Sequence, residues 1–196
     1  MKMKILAPII CLTFLSISAE AQWTNQNIVP AGNNLWSTFF VDDSTGWIVG
    51  SGGFIIKTTN SGTDWTSQNS GTTVTLKSLQ FINQNTGWIC GENGVIITTI
   101  DGGNTWNEVN SNTTETLNDL HFTTPATGYI VGNNELILNT TDGGVSWITQ
   151  NYGNAYDLYS VDFIDSLIGF AVGGRDSSKF LKTTNGGLDW ITKEIY

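Results

Sequence analysis

The chain has 196 residues, 39% hydrophobic and only 13% charged, with 8 Lys+Arg against 17 Asp+Glu, one His and 22 Gly. That length suits one ordinary domain or several small units sharing a core, and eight tryptophans argue against disorder. A net charge of −9 argues against a nucleic-acid or anionic-membrane partner, both of which need basic patches.

Lys2 and Lys4 precede an apolar run from Ile5 to Leu15, and Ala19-Glu20-Ala21 places small residues where a signal peptidase reads. Residues 1–21 are therefore expected to be a signal peptide cleaved before Gln22. The apolar run is too short to span a bilayer, which takes about 20 residues. The product is expected to be secreted, periplasmic or on the cell surface, with no membrane insertion after cleavage. Loss of Lys2, Lys4 and Glu20 leaves a net charge of −10. Loss of Cys11 leaves Cys90 alone, so no intrachain disulfide can form and packing must hold the domain.

An internal repeat accounts for nearly everything else. Leu35, Leu76, Leu117 and Leu158 are each 41 residues apart, as are Gly46, Gly87, Gly128 and Gly169. Trp65, Trp106 and Trp147 keep the same step, and Trp190 follows after 43. The segments Gly46-Trp-Ile-Val-Gly50, Gly87-Trp-Ile-Cys-Gly91, Gly128-Tyr-Ile-Val-Gly132 and Gly169-Phe-Ala-Val-Gly173 are copies of one strand. Each unit reads as four short strands: in the second, Leu76 to Phe81, Gly87 to Gly91, Val95 to Thr99 and Trp106 to Val109. Short β-branched and aromatic runs between turn residues predict an all-β chain. Four strands in about 40 residues is the size of one β-propeller blade. The expected fold is a propeller of four four-stranded blades at about 35–69, 76–110, 117–151 and 158–196. Phe40, Phe81, Phe122 and Phe163 on the innermost strands, and Trp47, Trp88, Tyr129 and Phe170 on the second, are expected to form the core between blades.

A second motif ends each third strand: Thr58-x-Asn60-x-Gly62-x-Asp64-Trp65, Thr99-x-Asp101-x-Gly103-x-Thr105-Trp106, Thr140-x-Asp142-x-Gly144-x-Ser146-Trp147 and Thr183-x-Asn185-x-Gly187-x-Asp189-Trp190. These segments resemble the Asp-box (BNR) motif of sialidases, sortilin-type receptors and the photosystem II stability/assembly factor family. Together with the Gly-Trp-Ile-Val-Gly strand, the likeness over residues 23–196 is closest to that last family. A short Asp or Asn accepts hydrogen bonds from the N–H groups of its own turn, and the glycine permits positive φ. Asn at the acid position of two copies suits an acceptor and not a catalytic acid. The resemblance to sialidases further implies that these turns lie opposite an active site. The boxes are therefore expected to be structural.

The sialidase resemblance also implies three arginines clamping a carboxylate and a Tyr/Glu nucleophile pair, whereas this chain has one arginine, Arg175. Lysine does not replace a bidentate arginine there. The assembly-factor resemblance implies an arginine-rich client surface, which the same count denies, so the likeness is to the fold. His121 and Cys90 stand at repeat positions held elsewhere by Phe39, Gln80 and Asp162, and by Val49, Val131 and Val172. They are read as a satisfied structural histidine and a small core hydrophobe. No catalytic set, metal site or cofactor is expected.

Only blade four carries a two-residue insertion, in Gly173-Gly-Arg-Asp-Ser-Ser-Lys179. It brings Arg175, Asp176 and Lys179 to the loop between second and third strands, beside Tyr152, Tyr156 and Tyr159. In a propeller such loops share a face with the blade-to-blade connections, 69–75, 110–116 and 151–157, and a binding surface is expected there. The fourth strand occurs five times, from Trp23, Trp65, Trp106, Trp147 and Trp190, so residues 22–27 are a spare closing strand. A fragment of a larger ring, a homodimer that completes the ring, and a small four-bladed ring all remain open. The expected function is a non-catalytic scaffold that binds a protein or glycan through its loop face. The alternative is a fragment of a sialidase-like carbohydrate-active enzyme.

Overall fold

The computed structural model describes residues 32–151, 156–174 and 178–193. The expected signal peptide at 1–21 and the expected closing strand at 22–27 lie outside them. Within them the chain forms four separate antiparallel sheets of four strands each. Blade one is β1 (Leu35–Phe40), β2 (Gly46–Gly50), β3 (Phe54–Thr58) and β4 (Thr66–Asn69); blade two is β5 (Leu76–Phe81), β6 (Gly87–Gly91), β7 (Ile96–Thr99) and β8 (Asn107–Val109). Blade three is β9 (Leu117–Phe122), β10 (Gly128–Gly132), β11 (Leu136–Thr140) and β12 (Ile148–Asn151); blade four is β13 (Leu158–Phe163), β14 (Gly169–Gly173), β15 (Lys179–Thr183) and β16 (Ile191–Lys193). In every sheet the strands lie side by side in chain order, as a blade requires.

The burial of each strand follows from its place in the blade. β6 and β10 are buried at every residue, which explains their continuous apolar runs where a one-faced strand would alternate. β4 and β8 are mostly exposed and carry Thr, Ser, Asn, Gln and Glu. The inner strands pack in succession, β1 on β5, β5 on β9 and β9 on β13.

Blades are joined by one aromatic arrangement, repeated three times. The second-strand ring of one blade lies flat on the inner-strand Phe of the next: Trp47 on Phe81 at 3.5 Å between centroids, Trp88 on Phe122 at 3.7 Å and Tyr129 on Phe163 at 4.1 Å. The Asp-box tryptophan of the receiving blade meets the same Phe edge-on, at 5.9 Å for Trp106 and Trp147 and 5.8 Å for Trp190. Such contacts contribute about 0.5–1.5 kcal/mol per pair beyond the area they bury. A Cβ on Gly87, Gly128 or Gly169 would run into that same Phe ring, so the first glycine of the copied strand makes room for it.

The core expectation holds for Phe81, Phe122, Phe163, Trp47, Trp88 and Tyr129, all buried, but not for the end copies. Phe40 is 44% exposed, and Phe170 is half-buried and stacks on Phe180 of its own blade. The reason is that no blade precedes the first or follows the fourth among the described residues. Among the described residues the flat ring-on-Phe stack joins blade one to two, two to three and three to four, and no such stack joins blade four to blade one.

Every inner strand also carries a β-bulge at the same step. The register against the second strand slips between Leu35 and Ser37, between Leu76 and Ser78, and between Leu158 and Ser160. In blade three, adjacent Val131 and Gly132 face Asp119 and Leu117. The extra residues are Trp36, Lys77, Asn118 and Tyr159. The second glycine of the copied strand lies opposite, and a Cβ there would collide with the backbone carbonyl of Asn34, Thr75, Thr116 or Asp157. Since backbone cannot yield as a side-chain tip can, Gly91→Ala is expected to cost about 1–3 kcal/mol, read as a lower midpoint in urea unfolding. A variant as stable as the parent would show that the bulge tolerates a side chain.

Candidate functional site

Two adjacent repeat positions from all four inner strands meet in one cavity of about 380 Å³. The four bulged residues Trp36, Lys77, Asn118 and Tyr159 line it together with Ser37, Ser78, Asp119 and Ser160, one residue further along the strands. Bulges re-aim side chains, and here four of them point four different chemistries at the mouth of the propeller's axis. Trp36 and Tyr159 are 50% and 47% exposed. The Lys77 ammonium sits 4.6 Å over the Trp36 ring, and Trp36 Nε1 donates to Ser51 Oγ at 3.3 Å. Asn118 Nδ2 donates to the Leu158 carbonyl at 2.8 Å and to Asn133 Oδ1 at 3.0 Å.

Asp119 is structural within this cavity. Its Oδ1 accepts from Ser78 Oγ at 2.7 Å, and its Oδ2 accepts from Ser160 Oγ at 2.9 Å and Val161 N at 3.0 Å. One carboxylate thus ties blades two, three and four together. Its acceptor sites are filled by the chain itself.

The loop face is arranged as the sequence implied. Loops between second and third strands bond the blade-to-blade connections: Gly53 N donates to Val74 O, Glu92 N to Thr75 O, Asn133 N to Thr116 O and Gly174 N to Asp157 O. Of the expected loop residues, Tyr152, Arg175 and Asp176 lie outside the described residues, and Lys179 is described only through its backbone pairing with Gly173. The Tyr156 carbonyl accepts from Glu135 N. Glu135 is a residue the sequence reading missed. It stands where the other blades have Gly53 and Gly94, has φ of 53°, and is 7% exposed. A non-glycine residue held in the left-handed region is uncommon. A second cavity of about 470 Å³ lies on this face, lined by Asn112, Glu115, Asn133 and Asn134 among others.

His121 lies between blades three and four, with Nδ1 3.2 Å from Asp162 Oδ1, and Cys90 is fully buried, which pushes its thiol up. Among the described residues no three His, Cys, Asp or Glu gather as a metal site would need.

The Asp boxes sit at the opposite end of each blade. Asn60, Asp101, Asp142 and Asn185 each accept, through Oδ1, the backbone N–H four residues on, at 2.8–3.0 Å. The preceding threonine accepts the N–H of Gly62, Gly103, Gly144 or Gly187 at 2.9 Å, with those glycines at φ of 74–85°. The two sequence versions are matched sets. Where the acid position is Asp, Thr105 or Ser146 donates its hydroxyl to Oδ2 at 2.6 Å. Where it is Asn, Nδ2 donates instead to Asp64 at 2.9 Å or Asp189 at 3.0 Å.

A family model, Photosynthesis system II assembly factor YCF48, matches residues 15–114 and 104–191. The chain belongs to that family. Among solved structures, one described as "YCF48 bound to D1 peptide" superposes with a TM-score of 0.55 at 14% identity, over 84% of this chain and 82% of that one. YCF48 from Cyanidioschyzon merolae gives 0.68 at 18% identity, over 86% of this chain and 58% of that one. The present chain therefore spans little more than half of the second YCF48's length. A GH74 enzyme from Niastella koreensis gives 0.61 at 16% identity, over 76% of this chain and 28% of that one. At these identities the likenesses show the propeller fold alone. No curated protein sequence matches significantly.

The hydrogen bonds of the boxes set their response to acid. The Thr105 side chain, then its N–H and the Thr99 hydroxyl, hold Asp101 down to about 2 from an ordinary 3.8; the Ser146 side chain and N–H do the same for Asp142. A depressed carboxyl stabilises the fold while ionised: the contribution is complete above the ordinary value and disappears as pH falls through about 2. Thermal midpoints are therefore expected to fall between about pH 4 and pH 2, with a shallower fall in Asp101→Asn. Equal slopes for parent and variant would count against this origin. Asn60→Asp is expected to destabilise the first box at neutral pH by setting two carboxylates together, and adding Asp64→Thr should restore the midpoint.

Proposed function

We propose that the protein is a non-catalytic, protein-binding propeller that captures an extended peptide segment at the axis mouth. The observation that carries this reading is the divergence of a single repeat position. Core positions recur from blade to blade, while the bulged position presents Trp36, Lys77, Asn118 and Tyr159 around one cavity. An aromatic ring, a cation, an amide and a phenol together suit side chains and backbone amides of a peptide. Family membership supports a protein partner, since a YCF48 has been solved with a peptide bound. The binding role expected from the sequence for Tyr156 and the Arg175 insertion is kept as part of the proposal, with Arg175 outside the described residues.

Glycan binding is the second reading, favoured by the half-exposed pair Trp36 and Tyr159, on which sugar faces could stack. The scaffold is further proposed to work outside the cytoplasm, a reading that rests on the signal-like segment at 1–21.

The test uses a phage-displayed random peptide library selected on the protein, followed by fluorescence anisotropy with the peptides recovered. Trp36→Ala and Lys77→Ala are each expected to weaken those peptides about tenfold or more, the loss of a central anchor. Selected peptides that bind both variants as well as the parent would overturn the axis-mouth site. Selection of no peptide, with retention on a glycan array that Trp36→Ala abolishes, would favour the second reading.

A further inference from the structure

The axis cavity and the cavity of about 470 Å³ on the loop face are separated by one pair of amides. Asn118 lines the first and Asn133 lines the second, and Asn118 Nδ2 donates to Asn133 Oδ1 at 3.0 Å. A chain that leaves the axis mouth over Asn118 enters the second cavity by crossing that pair.

The second cavity is built to take a long basic side chain. Its lining includes Leu136, 4% exposed, an apolar surface of the kind on which the methylene stems of Lys and Arg lie. Asn112 and Asn134 stand exposed around it. Glu115, half-buried, is the one charged residue of the lining among the described residues. The chain leaves that charge unused: among the described residues the carboxylate enters no hydrogen bond or ion pair, and only the Glu115 N–H is engaged, donating to Thr113 Oγ1 at 3.1 Å. Asp119 in the neighbouring cavity is the opposite case, with both oxygens bonded by hydroxyls and N–H groups. A carboxylate that has lost part of its hydration without gaining a partner favours the arrival of a cation. Nor does the repeat ask for these residues. Val74 and Tyr156 stand at the repeat position of Glu115, Gly71 at that of Asn112 and Glu108 at that of Thr149, which also lines the cavity.

We propose that the peptide held at the axis mouth crosses the Asn118–Asn133 pair and places a lysine or arginine side chain in the second cavity, its charged head on the Glu115 carboxylate and its stem along Leu136. The partner is then an extended segment that carries a basic residue at a fixed distance from the part seated between Trp36 and Lys77. A basic segment is also steered toward a chain of net charge −9. This inference rests on the peptide reading above.

The experiment uses the full chain and the peptides recovered from the random library. Each recovered sequence family is expected to hold one lysine or arginine at a constant separation from the segment whose binding Trp36→Ala weakens. Exchanging that lysine for norleucine, or that arginine for citrulline, keeps the stem and removes the charge. The exchange is expected to weaken binding to the parent about fivefold to tenfold in fluorescence anisotropy. Glu115→Gln is expected to bind the charged and uncharged peptides alike, and Glu115→Lys to prefer a peptide with glutamate at that place. Peptides that Trp36→Ala weakens but that bind Glu115→Gln as tightly as the parent, or families with no recurring basic residue, would overturn this inference and leave the axis reading standing. Recovery of no peptide, or of peptides indifferent to Trp36→Ala, would overturn the axis reading and this inference with it. If a Glu115 variant fails to fold, the exchange made on the peptide alone decides: an uncharged peptide that binds the parent as tightly as the charged one would sink the proposal.

Discussion

The packing of one blade's second-strand ring on the next blade's inner-strand Phe is the constraint from which the rest of the structure follows. A single four-stranded sheet has two apolar faces and cannot bury either by itself. The stack gives each face a fixed partner, with Trp47, Trp88 and Tyr129 fully or almost fully buried against Phe81, Phe122 and Phe163. It also dictates the glycine beside each Phe, because any larger residue would push the ring out of register with its neighbour. The Asp box belongs to the same unit: its backbone turn delivers the tryptophan that closes the Phe from the edge, and a carbonyl in that turn receives a hydrogen bond from the preceding blade. Blade stacking and turn geometry are therefore one cooperative feature, repeated at 41 residues.

The candidate site arises where that regularity is used for another purpose. The second glycine of the copied strand admits a bulge at the start of each inner strand, and the bulge frees one residue per blade from the ladder. A residue excluded from both the hydrogen-bond ladder and the blade core has few packing demands on its identity. Those four positions hold four unlike side chains, while Leu76, Leu117 and Leu158 immediately before them are identical and fully buried. Asp119 beneath them supplies the rigidity, binding hydroxyls on both neighbouring inner strands.

Much of the fold was legible in the sequence because packing repeats. Leu, Gly, Phe and Trp at a constant step can be read without a structure, and so can an Asp-box turn whose hydrogen bonds are local. The site was legible only in part. The insertion around Arg175 attracted notice because it changes the length of a repeat, and Tyr159 only as its neighbour, whereas Trp36, Lys77 and Asn118 change nothing but their chemistry and pass for ordinary surface variation. Their common direction depends on a register slip that alternation cannot reveal, since a bulge leaves the flanking apolar pattern in step with its own strand. A column-by-column comparison of the four copies would have found the position. Only the structure shows that the column faces an axis. Glu135 was hidden differently: its significance is a backbone angle, visible once Gly53 and Gly94 are placed beside it.

The end blades show why identical positions need not have identical fates. Phe40 and Phe81 share a residue type, a strand and an adjoining glycine, yet one is 44% exposed and the other 2%. Among the described residues a blade precedes Phe81 and none precedes Phe40, a difference that no local sequence window contains. Blade four departs from the pattern in the complementary way. Its ring has lost the indole or phenol that latches blades two and three to their successors, and a lysine stands where blade one uses a lysine for the same bond.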